Sequence, residues 1–229
     1  MPAYQAVVFD LDDTLLDDAQ ATRLGVQALF EHYAPARAAE AGQHWQEALS
    51  RYYPDFLDGQ LSAAQMRQAR IRHALASPEL SDQQSEQAFE YFMQAYVAAC
   101  AEGLFGDALP CLSELQQRGY VLALVSNGPD TMQLRKVAAC QLEPFMAFTL
   151  TAEAAGVAKP KPEIFHQAAE RLGLEAKDCL YVGDNLEKDA RAAKQAGWDS
   201  VWLNRKGHQS PADVVSVGSL NELLTQVLG

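Results

Sequence analysis

Three carboxylates stand within four positions at Asp10, Asp12 and Asp13, immediately after the apolar run Ala6-Val7-Val8-Phe9. Carboxylates this close repel one another unless a bound cation or backbone N–H groups offset the charge. A divalent metal site is the chemistry such a cluster predicts. Farther along, Ser126-Asn127-Gly128 joins a hydroxyl to a turn whose N–H groups can form a nest for an anion. Lys159 stands in Ala158-Lys159-Pro160-Lys161-Pro162, and Gly183-Asp184 is followed by Asp189. Each fragment has a plainer alternative. Asp12-Asp13-Thr14 could be a turn or cap, Ser126 a turn hydroxyl, Lys159 a solvated loop residue and Asp189 a helix N-terminal charge.

The elements around these residues decide between the two readings. Val7 to Phe9 reads as a short strand covered on both faces, with Asp10 and Asp12 at its carboxyl edge. Residues 19–100 carry helical patterning in four segments, over 19–33, 36–53 ending before Pro54, 62–76 and 81–100, with Ser62 and Ser81 as N-caps. Beyond Gly106 the pattern alternates. Strands are expected over 120–125, 147–151, 179–182 and 200–203, and helices over 109–118, 130–139, 162–172, 188–196 and 219–228. This predicts a doubly wound (Rossmann-like) α/β parallel sheet built from residues 1–17 and 104–229, with residues 18–103 inserted as an all-helical cap domain. Loops at the carboxyl ends of such a sheet share one crevice, so Asp10, Ser126, Lys159 and Asp184 are expected to converge.

Bulk properties narrow the partners. A chain of 229 residues with 48% apolar and 21% charged residues can bury a large core, which excludes a disordered or fibrous protein. The formal net charge of −12 repels nucleic acid and anionic membrane surfaces, so an anionic ligand needs local attraction at its site. Cys100, Cys111, Cys140 and Cys179 are widely spaced, without zinc-ligand or redox-motif spacing, and read as core residues in a reducing compartment. No leader pattern and no apolar run of membrane-spanning length is present, and a cytoplasmic monomer or homodimer is expected.

The four strand-end groups resemble the motifs of the haloacid dehalogenase-like (HAD) hydrolase superfamily. Asp10-x-Asp12-x-Thr14 is similar to motif I, Ser126 to motif II, Lys159 in K-P-x-P-x-I-F to motif III, and Gly183-Asp184 with Asp189 to motif IV. The resemblance implies phosphoryl transfer, which needs an in-line nucleophile and compensation for charge on the equatorial oxygens. By that resemblance Asp10 attacks phosphorus and becomes an aspartyl phosphate, while Asp12 protonates the leaving oxygen and then activates water. Ser126, Asn127 and Lys159 would bind phosphate. Asp10, the backbone carbonyl of Asp12 and Asp184 would bind Mg²⁺, supported by Thr14 and Asp189. Asp13 is left without a catalytic role and is expected to point away from the metal.

The implied activity is Mg²⁺-dependent hydrolysis of a small phosphorylated metabolite. A phosphomutase would keep the same motifs. A 2-haloacid dehalogenase of this superfamily lacks the second aspartate, so Asp12 argues against it, and a receiver-type signalling module lacks both the D-x-D pair and the helical insertion. Specificity is expected from the cap. There Leu57-Asp58-Gly59-Gln60 and Arg70, with Val201-Trp202-Leu203-Asn204-Arg205 near the C-terminus, resemble the pyrimidine 5′-nucleotidase and N-acylneuraminate-9-phosphatase branch. That branch implies nucleoside monophosphates or sugar phosphates as substrates and Arg70 as a substrate contact.

Overall fold

Ala6–Phe9 forms β1, four residues with no solvent exposure, as expected for a strand covered on both faces. The computed structural model describes residues 4–229, so the first three positions of the predicted segment 1–17 lie outside the described residues. The chain divides into two compact units, one comprising Met1–Asp17 with Leu104–Gly229 and the other Asp18–Gly103.

The second unit is all helix: α1 (Asp18–Tyr33), α2 (Ala41–Leu57), α3 (Ala63–Ala74) and α4 (Asp82–Ala101). Both α3 and α4 start with reciprocal caps. Ser62 Oγ accepts from Gln65 N while Gln65 Oε1 accepts from Ser62 N, and Ser81 and Gln84 repeat the arrangement. Helices α1 and α4 pack closely because Gly25 lies against Phe92 and Tyr96, where a Cβ would fall 2.8 Å from Tyr96 Cβ. Trp45 joins the same cluster, its ring 4.5 Å from that of Phe92. Two expectations need correction. Helix α2 begins at Ala41, after a 3₁₀ segment over Pro35–Glu40, and continues through Pro54 to Leu57. The proline forfeits one hydrogen bond to the carbonyl of the exposed Ser50, where water can replace it, and Phe56 anchors the last turn beside Ala63 and Met66.

The first unit resumes with α5 (Ala108–Gln117), then β2 (Val121–Ser126), α6 (Asp130–Ala139), β3 (Thr149–Thr151), α7 (Ala152–Ala155), α8 (Glu163–Leu172) and β4 (Cys179–Gly183). Helix α9 has a wide first turn over Leu186–Arg191 and regular turns over Ala192–Gln195; β5 (Asp199–Leu203), β6 (Val215–Val217) and α10 (Leu220–Glu222) follow. The sheet has six strands in the order β3-β2-β1-β4-β5-β6, all parallel. Strand β6 went unpredicted: its three residues are too few to show a period, and it is fixed by pairing with β5 and by Asn204 N donating to Val217 O. One face of the sheet presents Val8, Val125 and Tyr181 to Phe165, Ala168 and Trp198, which forms the main core on that side. All four cysteines are buried thiols outside any disulfide.

Candidate active site

Parallel register sets Phe9 beside both Leu124 and Val182, so the chain leaves β1, β2 and β4 at one edge of the sheet. The strand order reverses around β1, which makes this edge the crevice where doubly wound sheets take their ligands. Asp10 is the first residue past β1; its N–H donates to Val182 O and the residue is only 7% exposed.

Lys159 reaches the same point from the loop before α8. Its buried Nζ lies 2.7 Å from Asp10 Oδ1 and 2.7 Å from Asp189 Oδ1, and donates further to Tyr181 Oη and Val125 O. Asn127 fixes the lysine's backbone at two points: Asn127 Oδ1 accepts from Lys159 N at 2.7 Å, and Asn127 Nδ2 donates to Lys159 O at 2.8 Å. Both polar ends of the Asn127 side chain thus engage the Lys159 backbone. Lys161 is exposed.

Asp189 comes from the wide first turn of α9. Asn185 caps that turn by accepting from the N–H groups of Glu187 and Lys188, which sends Asp189 inward to accept from Asn185 N. Thr14 ties motif I to motif IV: its Oγ1 accepts from Asp184 N at 3.0 Å and makes a long contact of 3.5 Å to Asp10 Oδ2. Asp12 turns toward α6. Gln133 Nε2 donates to Asp12 Oδ2 at 2.9 Å and to Ser126 Oγ at 2.7 Å, and Lys136 pairs with Asp12 Oδ1. Asp13 takes the left-handed conformation at φ 58° and lies 3.7 Å from Lys206.

Negative charge outweighs positive at the crevice. Burial drives the Asp10 carboxyl well above its usual range; Lys159 opposes this, while Asp189, Asp12 and Asp184 reinforce it. Burial would depress Lys159, but Asp10 and Asp189 hold it well above the ordinary lysine value, so it is an ammonium. Burial, with help from Asp189 and Asp13, pushes Asp184 up to about 7. Carboxylate oxygens of Asp10, Asp184 and Asp189 lie within 4.8 Å of one another. Three hard oxygen donors facing a single ammonium suit a small divalent cation, which would relieve the repulsion among them. The Asp12 carboxylate is outside this trio, leaving its backbone carbonyl as its candidate donor. Beside Asp184 opens a cleft of about 330 Å³, lined in part by Asp13, Trp202, Arg205 and His208.

In the helical unit, Arg67 pairs with Glu86 and Arg72 with Asp82, whereas Arg70 is 6% exposed and has no carboxylate within ion-pair distance among the described residues. Arg70 lies over the Trp45 ring at 4.3 Å, and its Nε has no hydrogen-bond partner. Burial lowers it to about 10, so it remains charged at neutral pH.

Four residues of the crevice were not anticipated from sequence in these roles: Gln133, Lys136, Tyr181 and Arg205. For the first two a signal existed. Gln133 and Lys136 share a helical face with Val137 and Cys140, both buried, while apolar Leu134 on the same helix is 46% exposed. Tyr181 reads as a core aromatic, and its hydroxyl partners are set by tertiary folding.

A family model described as haloacid dehalogenase-like hydrolase matches residues 4–197. The chain is 29% identical to the glyceraldehyde 3-phosphate phosphatase of Methanopyrus kandleri, with 90% of this chain and 86% of that one covered. It is 28% identical to the N-acylneuraminate-9-phosphatase of Homo sapiens (96% and 92% covered) and 26% identical to the pyrimidine 5′-nucleotidase YjjG of Escherichia coli (95% and 95%). Among solved structures, magnesium-bound HAD-hydrolase YfnB of Bacillus subtilis aligns with TM-score 0.75 at 25% identity over 97% of each chain. The 2-haloacid dehalogenase of Pseudomonas syringae pv. Tomato aligns with TM-score 0.74 at 28% identity, again over 97% of each. No helix among the described residues is long and apolar enough to cross a membrane. With the four motif groups gathered at one sheet edge and the family model spanning most of the chain, the protein belongs to the haloacid dehalogenase-like hydrolases.

Proposed function

We propose that the protein is a Mg²⁺-dependent phosphoric monoester hydrolase acting on small phosphorylated metabolites, a nucleoside monophosphate or a sugar phosphate. The observation that carries this reading is the pair of aspartates in Asp10-x-Asp12: Asp10 faces Lys159 and two further carboxylates, while Asp12 is held beside the Ser126 hydroxyl. Phosphatases among the relatives support the reading. The magnesium in the YfnB structure supports the metal.

Asp10, Asp184 and the Asp12 backbone carbonyl would hold Mg²⁺, with Asp189 beside them, and the bound ion supplies positive charge against the phosphoryl oxygens. An Asp10 carboxylate oxygen attacks phosphorus as the bond to the ester oxygen breaks, and Asp12 gives its proton to that leaving oxygen. The resulting aspartyl phosphate is hydrolysed when Asp12, now a carboxylate, takes a proton from the attacking water and the Asp10–phosphorus bond breaks. Lys159, pinned by Asp189 and Asn127, and the Ser126 hydroxyl carry the charge of the phosphoryl group with little reorganisation. Residues 18–103 act as the specificity cap, and the buried, unpaired charge of Arg70 is the group in it suited to an anionic or carbonyl-bearing part of the substrate.

Dehalogenases among the relatives make halide release the competing reading. Phosphate release from p-nitrophenyl phosphate and chloride release from 2-chloropropionate, each measured with Mg²⁺ and with chelator, separate the two. Phosphate release that chelator abolishes and added Mg²⁺ restores is expected; chloride release that ignores the metal would overturn the proposal.

A further inference from the structure

Helix α6 carries an ammonium into the protein where packing alone would call for an apolar side chain. Lys136 is 1% exposed, between Val137 and Gln133 on the buried face of the helix, and it ends on the Asp12 carboxylate. Burying a lysine is unfavourable unless its charge is paired, so its presence at this position calls for a role at its partner. Gln133, one turn earlier, donates to the other oxygen of the same carboxylate and also to Ser126 Oγ. Gly128 makes room for this contact, because a Cβ there would overlap the Gln133 side chain. The start of α6 is itself anchored: Asp130 N donates to Glu153 at 2.8 Å, and Thr151 Oγ1 donates to Asp130 Oδ1 at 2.9 Å.

From this geometry we infer that Lys136 and Gln133 are positioning residues for Asp12. They set the direction of the Asp12 carboxyl relative to the phosphoryl group and couple it to the Ser126 hydroxyl. The inference rests on the reading of Asp12 as the acid/base. Both act through the Asp12 carboxyl, and Gln133 makes the proton donor and the phosphate-gripping hydroxyl move as one unit. Two donors, one on each carboxylate oxygen, leave the Asp12 carboxyl a single orientation.

The consequence is a dependence on the leaving group. A p-nitrophenolate departs without a proton, whereas an alkoxide needs one, so misdirecting the acid harms alkyl phosphates selectively. General acid catalysis contributes about 10²–10⁴-fold, and loss of alignment should forfeit at least about tenfold of it. The test compares kcat/KM, which reports on the steps through phosphoryl transfer, for p-nitrophenyl phosphate and for an alkyl phosphate that the wild type turns over. Lys136→Met and Gln133→Met are each expected to lose at least about tenfold more on the alkyl ester than on the aryl ester, with Lys136→Arg recovering most of the loss. If Lys136→Met does not fold by thermal melting, Gln133→Met carries the comparison. Asp12→Asn provides the reference. An Asp12→Asn variant that loses more on the alkyl ester than on the aryl ester, together with Lys136 and Gln133 variants that lose equally on both esters or not at all, overturns the positioning inference alone. An Asp12→Asn variant that loses equally on both overturns the acid/base reading and the inference with it.

Discussion

At the scale of residues, the site depends on close approaches that small substitutions disturb. Gly183 ends β4 where a Cβ would overlap the Asp189 carboxylate, which together with Asp10 holds the Lys159 ammonium. Gly183→Ala is therefore expected to displace Asp189 and with it the lysine. A shift of about 1 Å in a catalytic group can lower turnover about 10²-fold, and kcat for an aryl phosphate should fall on that order while far-UV circular dichroism keeps its wild-type form. A variant with wild-type kcat would show that Lys159 does not need this support. Asp10, Ser126, Lys159 and Asp184 were legible in the sequence because each directly follows a strand or lies in a loop of fixed position, and parallel register then brings them together. Gln133 and Lys136 were only partly so: their spacing with Val137 and Cys140 marks one helical face, but exposed Leu134 runs counter to the hydrophobic pattern that would say which face turns inward.

At the scale of elements, a bidentate ion pair links segments far apart in the chain. Arg205, just past β5, donates to both Asp107 carboxylate oxygens at 2.8 and 3.0 Å and to Thr14 O in the loop after β1. Asp107 also accepts from Leu220 N at the start of α10. Burial would raise the Asp107 carboxyl, but Arg205 and the Leu220 N–H outweigh it and hold the group below its usual value. A carboxyl depressed in the folded state contributes stability that is complete above its unfolded pKa, about 3.9, and is lost as pH falls through the lower folded value. Asp107→Asn should cost about 2 kcal/mol in urea denaturation at neutral pH, and the gap to wild type should shrink below about pH 4. A gap that stays constant into acid would mean that the charge contributes nothing. Element order and type were readable from alternating apolar runs, but three departures arose where tertiary contacts override local signals. Helix α2 survives Pro54 because Phe56 is anchored, three-residue β6 exists only by pairing with β5, and α9 opens with a wide turn capped by Asn185.

At the scale of the whole molecule, a chain with formal charge −12 is poorly disposed to attract a phosphate ester, and the sign must be reversed within the crevice. The buried ammonium of Lys136 is paired with Asp12, and that of Lys159 stands among Asp10, Asp184 and Asp189, so in the proposed mechanism most of that reversal falls to a bound cation. The membership of the family was legible in four short motifs because they lie at the strand ends of one parallel sheet. The substrate was not, because those motifs serve only the phosphoryl group common to all candidates. Covalent chemistry at Asp10 is the central step of the proposed mechanism, and it can be read directly by mixing the enzyme with an aryl phosphate and Mg²⁺, quenching in acid, reducing the acyl phosphate with borohydride and mapping the product by mass spectrometry. Homoserine is expected at Asp10, formed only when both substrate and metal are present and absent from Asp10→Asn, which is also expected to release no phosphate. Modification at a different residue, or an Asp10→Asn enzyme that hydrolyses the ester at a near wild-type rate, would contradict it.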